Sequence, residues 1–295
     1  MEDVKFGMMV VYPLPKPIDR VYGLVKRIED LGFDSLWIPD HLTFPGVSGF
    51  TVEAWSVLSV IASKTERLKL ITGVTDPHRR NPALLAQTAS TVDLISNGRV
   101  VLGIGAGEGM NLDPFGIKWD KPVSRMIESI EIMRKLWASD EKNRFNYDGK
   151  FYKMKKAYLD FKSVQDPIPI YIAANSPRSR KITGRIGDGW VPILESPDTY
   201  KEHLKQIEAG AKEARRDVKE VEPCLELYTS VIRKGKLPGS ANKFSVNGNV
   251  DEVIEKIDNF VKAGVRHFSL MNMGPSPKEV EKIYGDTIIP YFKEK

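Results

Sequence analysis

A chain of 295 residues, 41% hydrophobic and 28% charged, is long enough to bury a large core, either as one α/β barrel or as two smaller domains. Its net charge is +5, but Lys and Arg are interleaved with Asp and Glu along amphipathic helices, so nucleic acid is not expected as a partner and an anionic small molecule is. No apolar run reaches the roughly 20 residues that span a bilayer, Met1-Glu2-Asp3 opens straight into a strand-like run, and Cys224 is the single cysteine, which together predict a cytoplasmic protein with no membrane segment, internal disulfide or cysteine-rich metal site.

In chain order, short β-branched runs alternate with helical periodicity. Val4–Val11 reads as a strand, and Ile18–Leu31 as a helix with Val21, Leu24, Val25, Ile28 and Leu31 on one face, stopped by Gly32. The alternation continues through strand Ser35–Ile38, helix Val52–Ser63, strand Leu68–Thr72, helix Pro82–Ile95, strand Val100–Gly105 and helix Pro122–Trp137. It then runs through strand Pro169–Ala173, helix Pro177–Gly187, strand Gly189–Ile193, helix Pro197–Ala214, strand Pro223–Val231, helix Val250–Ala263, strand His267–Met271 and a closing helix from Pro277. Two stretches fall outside the pattern: an aromatic segment Arg144–Tyr158 around Asp148-Gly149, read as a hairpin, and a polar segment Arg233–Gly248, read as a mobile loop or lid.

Eight strand–helix units predict one domain spanning 1–295, a (β/α)8 TIM barrel with insertions after strands 4 and 7; an open doubly wound sheet is the alternative. In a barrel the carboxyl ends of the strands face the active site. Those ends carry Pro39-Asp40-His41, then Gly73-Val74-Thr75-Asp76-Pro77, then Gly103-Ile-Gly-Ala-Gly107-Glu108-Gly-Met-Asn111, then Ala173-Ala174-Asn175-Ser176-Pro177-Arg178. Glu108 stands among residues too small to shield it, and its loop is either tight-turn chemistry or a site for a flat or phosphorylated ligand. His41 is either part of a structural Asp-His turn or a base for a substrate hydroxyl. His41, His78, His203 and His267 show no paired ligand spacing on a helix, so no metal is expected. Trp37 reads as core packing.

These four segments in this order, with Phe151-Tyr152-Lys153-Met154 and Gly184-Arg-Ile-Gly-Asp-Gly189, resemble the luciferase-like superfamily, and within it the branch that uses the deazaflavin coenzyme F-420. Glucose-6-phosphate dehydrogenase and methylenetetrahydromethanopterin reductase of that branch are the similar enzymes. The resemblance covers nearly the whole chain. It implies an oxidoreductase in which His41 takes a proton from substrate, Glu108 exchanges one at the cofactor ring, and Asp40, Gly107 and Asn111 contact the cofactor. It also implies a non-prolyl cis peptide at Gly73-Val74 pressed against the ring. Ala174 and Asn175 precede a helix with proline in its first turn, whose start favours an anion such as the cofactor's phosphate; of Arg178, Arg180, Arg79 and Arg80, one or two are expected to meet its acidic tail, the others being ordinary exposed arginines.

The resemblance thins at the substrate. The lysine expected after the sixth strand is replaced within Ile193-Leu-Glu-Ser196, which argues against glucose 6-phosphate, and Met9 stands where the reductase has an acidic residue. Phe44, Trp55, Trp119, Tyr12 and Met110 either line the pocket or, at least as often for residues near strand ends, belong to the core or rim. The leading expectation is hydride transfer between C5 of the deazaflavin and an alcohol, lactol or sugar derivative. The alternatives are an FMN-dependent monooxygenase, the methylene-pterin reductase, and a flavin-binding barrel without turnover. A homodimer through helices Val52–Ser63 and Pro82–Ile95 is implied, and scarce glutamine (Gln87, Gln165, Gln206) beside abundant Lys and Glu points to a thermophilic source.

Overall fold

The computed structural model describes residues 3–11, 18–44, 51–233, 245–272 and 276–294. Its elements are β1 (Lys5–Met9), α1 (Ile18–Asp30), β2 (Ser35–Ile38), α2 (Ala54–Ala62), β3 (Lys69–Thr72), α3 (Pro82–Ser96), β4 (Val100–Ile104), α4 (Gly109–Leu112), α5 (Pro122–Ala138), β5 (Phe145–Asp148), β6 (Lys153–Ala157), β7 (Ile170–Ile172), α6 (Pro177–Ile186), β8 (Gly189–Trp190), α7 (Pro197–Glu213), β9 (Glu222–Ile232), β10 (Ser245–Asn249), α8 (Val250–Lys262), β11 (His267–Asn272), α9 (Pro277–Ile283) and α10 (Ile289–Glu294). All eight predicted strands are present, as β1, β2, β3, β4, β7, β8, β9 and β11. The sixth is shorter than expected: Ile193 adds only an isolated bridge to Glu226.

The chain divides into two compact units. One contains Ile38–Ala173, in its described residues. Here β3 and β4 run parallel with Leu70 opposite Val100, and β4 and β7 run parallel with Leu102 opposite Ile170. Every residue of β4 is buried, the run of apolar side chains expected of a parallel strand covered on both faces. Asn81 caps α3 by accepting from the Ala83 N–H at 2.9 Å, with Pro82 in the first turn; Asn97 and Gly98, both at positive φ, end it. The buried Arg99 then ties the unit's lower turns together. Its guanidinium donates to the carbonyls of Ala62, Thr65, Leu68 and Ser96 and to the Thr65 hydroxyl, all at 2.7 to 2.9 Å.

The predicted hairpin is β5 and β6, antiparallel, closed by the Gly149 N–H donating to the Tyr152 carbonyl at 3.0 Å. Its tip is clipped to α5: Glu128 accepts from the backbone N–H groups of Lys150, Phe151 and Tyr152, and the Arg125 guanidinium lies 4.5 Å from the Phe151 ring centroid. Tyr152 also donates its hydroxyl to the Pro77 carbonyl at 2.8 Å, bracing the loop after β3.

The other unit contains the described residues of Met1–Val11, Pro15–Trp37 and Ala174–Lys295. β1 lies between β2 and β11, and β11 pairs with β9, all parallel. The eleven-residue β9 is long enough to pair with β8 at its start (Gly189 opposite Glu222) and with β10 at its end (Ser245 opposite Tyr228). β10 corrects the reading of Arg233–Gly248 as one loop. Val246 is buried there and Thr229 donates to its carbonyl, so the last part of that segment is sheet; positions 234–244 lie outside the described residues. Helices α6 and α7 cross with their backbones in contact. A Cβ on Gly184 would lie 2.0 Å from the Ile207 carbonyl oxygen, and one on Gly210 equally close to that of Lys181, so only glycine fits either place.

Candidate active site

Asp40 and His41 follow β2. Asp40 is buried, and its carboxylate accepts from the Thr75 hydroxyl at 2.6 Å and from the guanidiniums of Arg79 and Arg80, the latter at 2.6 Å. Arg79 also pairs with Asp76, and Arg80 with Glu53. The expectation that these arginines meet a cofactor tail is therefore revised: both are spent on internal carboxylates, and they fasten the loop after β3 to the one after β2. Arg180 is likewise buried, donating to Gln206 and to the Asn175 carbonyl.

The Gly73–Val74 peptide bond is cis, as the resemblance implies. The Val74 side chain lies over β4, where a Cβ on Gly103 would come within 3.2 Å of it and one on Gly105 within 2.9 Å; at Gly103 a Cβ would also collide with the Thr72 carbonyl oxygen at 2.0 Å. Two glycines of the loop are thus demanded by packing. Gly107 differs, because its φ of +78° is a backbone state that side chains resist.

After that turn the chain enters α4, a short helix the periodicity did not reveal because one turn is too brief to show a pattern. Glu108 stands at its start, exposed, and makes no capping bond. Asn111 is buried. Its Oδ1 accepts from the backbone N–H groups of Leu42 and Thr43 at 3.1 and 3.3 Å, while its Nδ2 donates to His41 Nδ1 at 2.5 Å and to Glu108 Oε2 at 3.4 Å. The structure so brings together His41, Asn111 and Glu108 in one polar chain. Asn111 is a link between the two predicted proton carriers, a role that sequence neighbourhood alone could not signal. Burial pushes the His41 imidazole below its ordinary pKa, the Glu108 carboxylate opposes that, and Arg79 reinforces it.

Phe44 meets the His41 ring edge to face, with centroids 5.6 Å apart. Trp119 is half exposed and donates its indole N–H to the Ala106 carbonyl at 3.1 Å, and Met110 is also exposed, so both flank the glycine loop. Trp55 is 3% exposed and belongs to the core, the second of its two readings. Trp37 is fully buried as expected, donating to Ser35. Tyr12 lies outside the described residues.

Ala174, Asn175 and Arg178 belong to the other unit. Ala174 is buried and its carbonyl accepts from the Trp190 indole at 2.9 Å. Ser176 caps α6 in a reciprocal box with Ser179, and Arg178 is exposed in the helix's first turn. Beside them Asn175, Arg180, Glu195, Ser196, Thr199 and His203 line a cleft of about 420 Å³ in which His203 Nδ1 and Glu195 are 2.8 Å apart. Among the described residues no cluster of three or more His, Cys, Asp or Glu is arranged to hold a metal ion, and no helix is long and apolar enough to cross a membrane.

The model of the luciferase-like monooxygenase family matches residues 4–234. The chain is 32% identical to the 5,10-methylenetetrahydromethanopterin reductase of Archaeoglobus fulgidus, with 98% of this chain and 100% of that one covered. It is 28% identical to the F-420-dependent glucose-6-phosphate dehydrogenase of Microbacterium testaceum, over 90% and 91% of the two chains. Among solved structures it resembles an F-420-dependent secondary alcohol dehydrogenase in complex with an F-420–acetone adduct, with a TM-score of 0.87 and 26% identity over 98% of this chain and 99% of that one. The protein is an enzyme of the (β/α)8 barrel class, and the open doubly wound alternative falls away. The chain belongs to the luciferase-like monooxygenase family.

Proposed function

We propose that this enzyme is a coenzyme F-420-dependent oxidoreductase that moves a hydride between the cofactor and a small alcohol or carbonyl compound. The observation that carries the reading is the chain His41–Asn111–Glu108, an imidazole and a carboxylate joined through one buried amide at the carboxyl ends of β2 and β4. The relatives named above, all F-420 enzymes or, for the pterin reductase, a member of the branch the sequence resembles, support the cofactor.

The residues present fit such a group. Val74 packs against Gly103 and Gly105, where the loop has no side chains of its own, Gly107 turns the chain at positive φ, and Glu108 follows exposed, accepting from Asn111. Asp40 acts through position, holding the loops of His41 and Val74 by way of Thr75, Arg79 and Arg80. Arg178, exposed at the start of α6, is the arginine of the four named in sequence that faces solvent, and it is assigned with Ala174 and Asn175 to the cofactor's anionic part. When bound, the deazaflavin supplies a ring carbon, C5, that accepts or returns hydride. His41 engages the substrate oxygen, and Glu108 holds or releases a proton at its carboxylate oxygen.

Titration with F-420 and with FMN separately, followed by turnover on a panel of alcohols, sugar phosphates and a methylene-pterin, tests the reading. Reversible bleaching of F-420 without oxygen uptake is expected. Oxygen consumption with reduced FMN would instead make it a monooxygenase, and cofactor binding with no turnover on any substrate a binding barrel. Methylene-pterin reduction is the second reading, favoured by the full-length match to the Archaeoglobus enzyme. His41→Ala and Glu108→Gln are each expected to lower kcat by about 10²-fold or more, the usual scale of acid–base contributions, with cofactor affinity kept.

We also propose a cytoplasmic homodimer from a thermophilic host. Leu84, Leu94 and Ile95 on α3 are 54%, 57% and 44% exposed in the single chain, large apolar side chains near the two ends of one of the helices expected at the interface.

A further inference from the structure

We propose that Asn111 is a positioning residue that fixes the tautomer of His41, so that the neutral imidazole offers an N–H at Nε2, and that the site therefore meets the oxygen of its substrate with a hydrogen-bond donor. Backbone N–H groups only donate, and those of Leu42 and Thr43 both reach the Asn111 side chain at 3.1 and 3.3 Å, so the atom between them is the amide oxygen. The opposite end, the NH2, then faces His41 Nδ1 and the Glu108 carboxylate, and each of its two hydrogens has an acceptor.

A donor aimed at Nδ1 requires a lone pair there. The neutral ring accordingly keeps its proton on Nε2, and no described residue supplies an acceptor for that proton. Turning the amide over would set its NH2 against two N–H donors and its oxygen against a carboxylate, inside a side chain that is 4% exposed. Unmet buried donors of that kind are costly. A second proton on the ring would meet the same obstacle, because it would point an N–H at the Asn111 NH2. The arrangement therefore reinforces what burial already does to His41 and leaves a fixed donor in the site, the role in which a neutral imidazole polarises a carbonyl.

The catalytic meaning rests on the functional reading above; the tautomer does not. It is measured on the protein without cofactor, labelled with 15N-histidine, by long-range 1H–15N correlation NMR near pH 7.5, the His41 signals being assigned by their loss in His41→Gln. A pyridine-like Nδ1 and a pyrrole-like Nε2 are expected. In Asn111→Asp the carboxylate accepts from Nδ1, so the proton is expected to move to Nδ1 or the ring to become doubly protonated. A pyrrole-like Nδ1 in the unaltered protein, or an unchanged pattern in folded Asn111→Asp, would overturn the proposal. If the variant does not fold, the spectrum of the unaltered protein decides alone. Failure to bind F-420 would sink the functional reading and leave this spectrum as it is.

Discussion

His267 is buried at the start of β11, where Trp37 donates to the Ser35 hydroxyl and that hydroxyl lies 2.7 Å from His267 Nε2. Burial, aided by the charge of Lys5, pushes the imidazole pKa down to about 3, against an ordinary 6.5. The folded state thus binds no proton on this ring between those values while the unfolded state does, so stability falls as pH drops through that window. Urea unfolding at pH 5 is expected to give a stability about 2 kcal/mol lower than at pH 7 from this group alone, at roughly 1.4 kcal/mol per unit. His267→Gln should flatten that part of the pH dependence. At this scale the sequence was informative where chemistry is local: Glu108 drew notice through its small neighbours, and His41 through its place after a strand. Asn111 was expected at the cofactor; that its amide joins His41 to Glu108 depends on two loops about seventy residues apart, and no spacing rule encodes such a meeting.

Among the elements, caps and periodicity were readable because each acts within a turn or two of chain. Asn81-Pro82 and Ser176-Pro177 announced α3 and α6 correctly. Arg99 was not readable, since most of the groups it holds come from α2 and the approach to β3, more than thirty positions earlier. Lys offers a point charge and cannot supply that fork of donors. Arg99→Lys is expected to lower stability by about 2 to 4 kcal/mol in denaturant titration, through carbonyls left buried without partners. At the α6–α7 crossing the usual helix rule reverses. Gly→Ala in a helix ordinarily stabilises by about 0.5 to 1 kcal/mol, yet at Gly184 the new methyl would press on the Ile207 carbonyl. Gly184→Ala is therefore expected to destabilise by about 1 to 3 kcal/mol, visible as a lowered Tm.

For the molecule as a whole, the count of eight strand–helix units was legible because parallel strands write themselves as continuous apolar runs, of which β4 is the clearest. The short β8 and the added β10 were less so: the first is two residues long, and the second is a polar-looking run paired only at the end of β9. Assembly is checked by light scattering coupled to gel filtration. A mass near twice the 33.2 kDa chain is expected, and Leu84→Glu combined with Leu94→Glu should shift it to the single chain without loss of helical signal.

The wall formed by Val74 on Gly103 and Gly105 also sets where the protein is free to change. A methyl at either glycine has no room, whereas Met110 and Trp119 are exposed and Phe44 touches His41 only by its edge. A randomised library over these positions should consequently return almost nothing but glycine at 103 and 105 and a broad spread at 110 and 119. In the proposed active site, that pattern would confine the acquisition of new substrates to a narrow rim of replaceable side chains around a glycine floor.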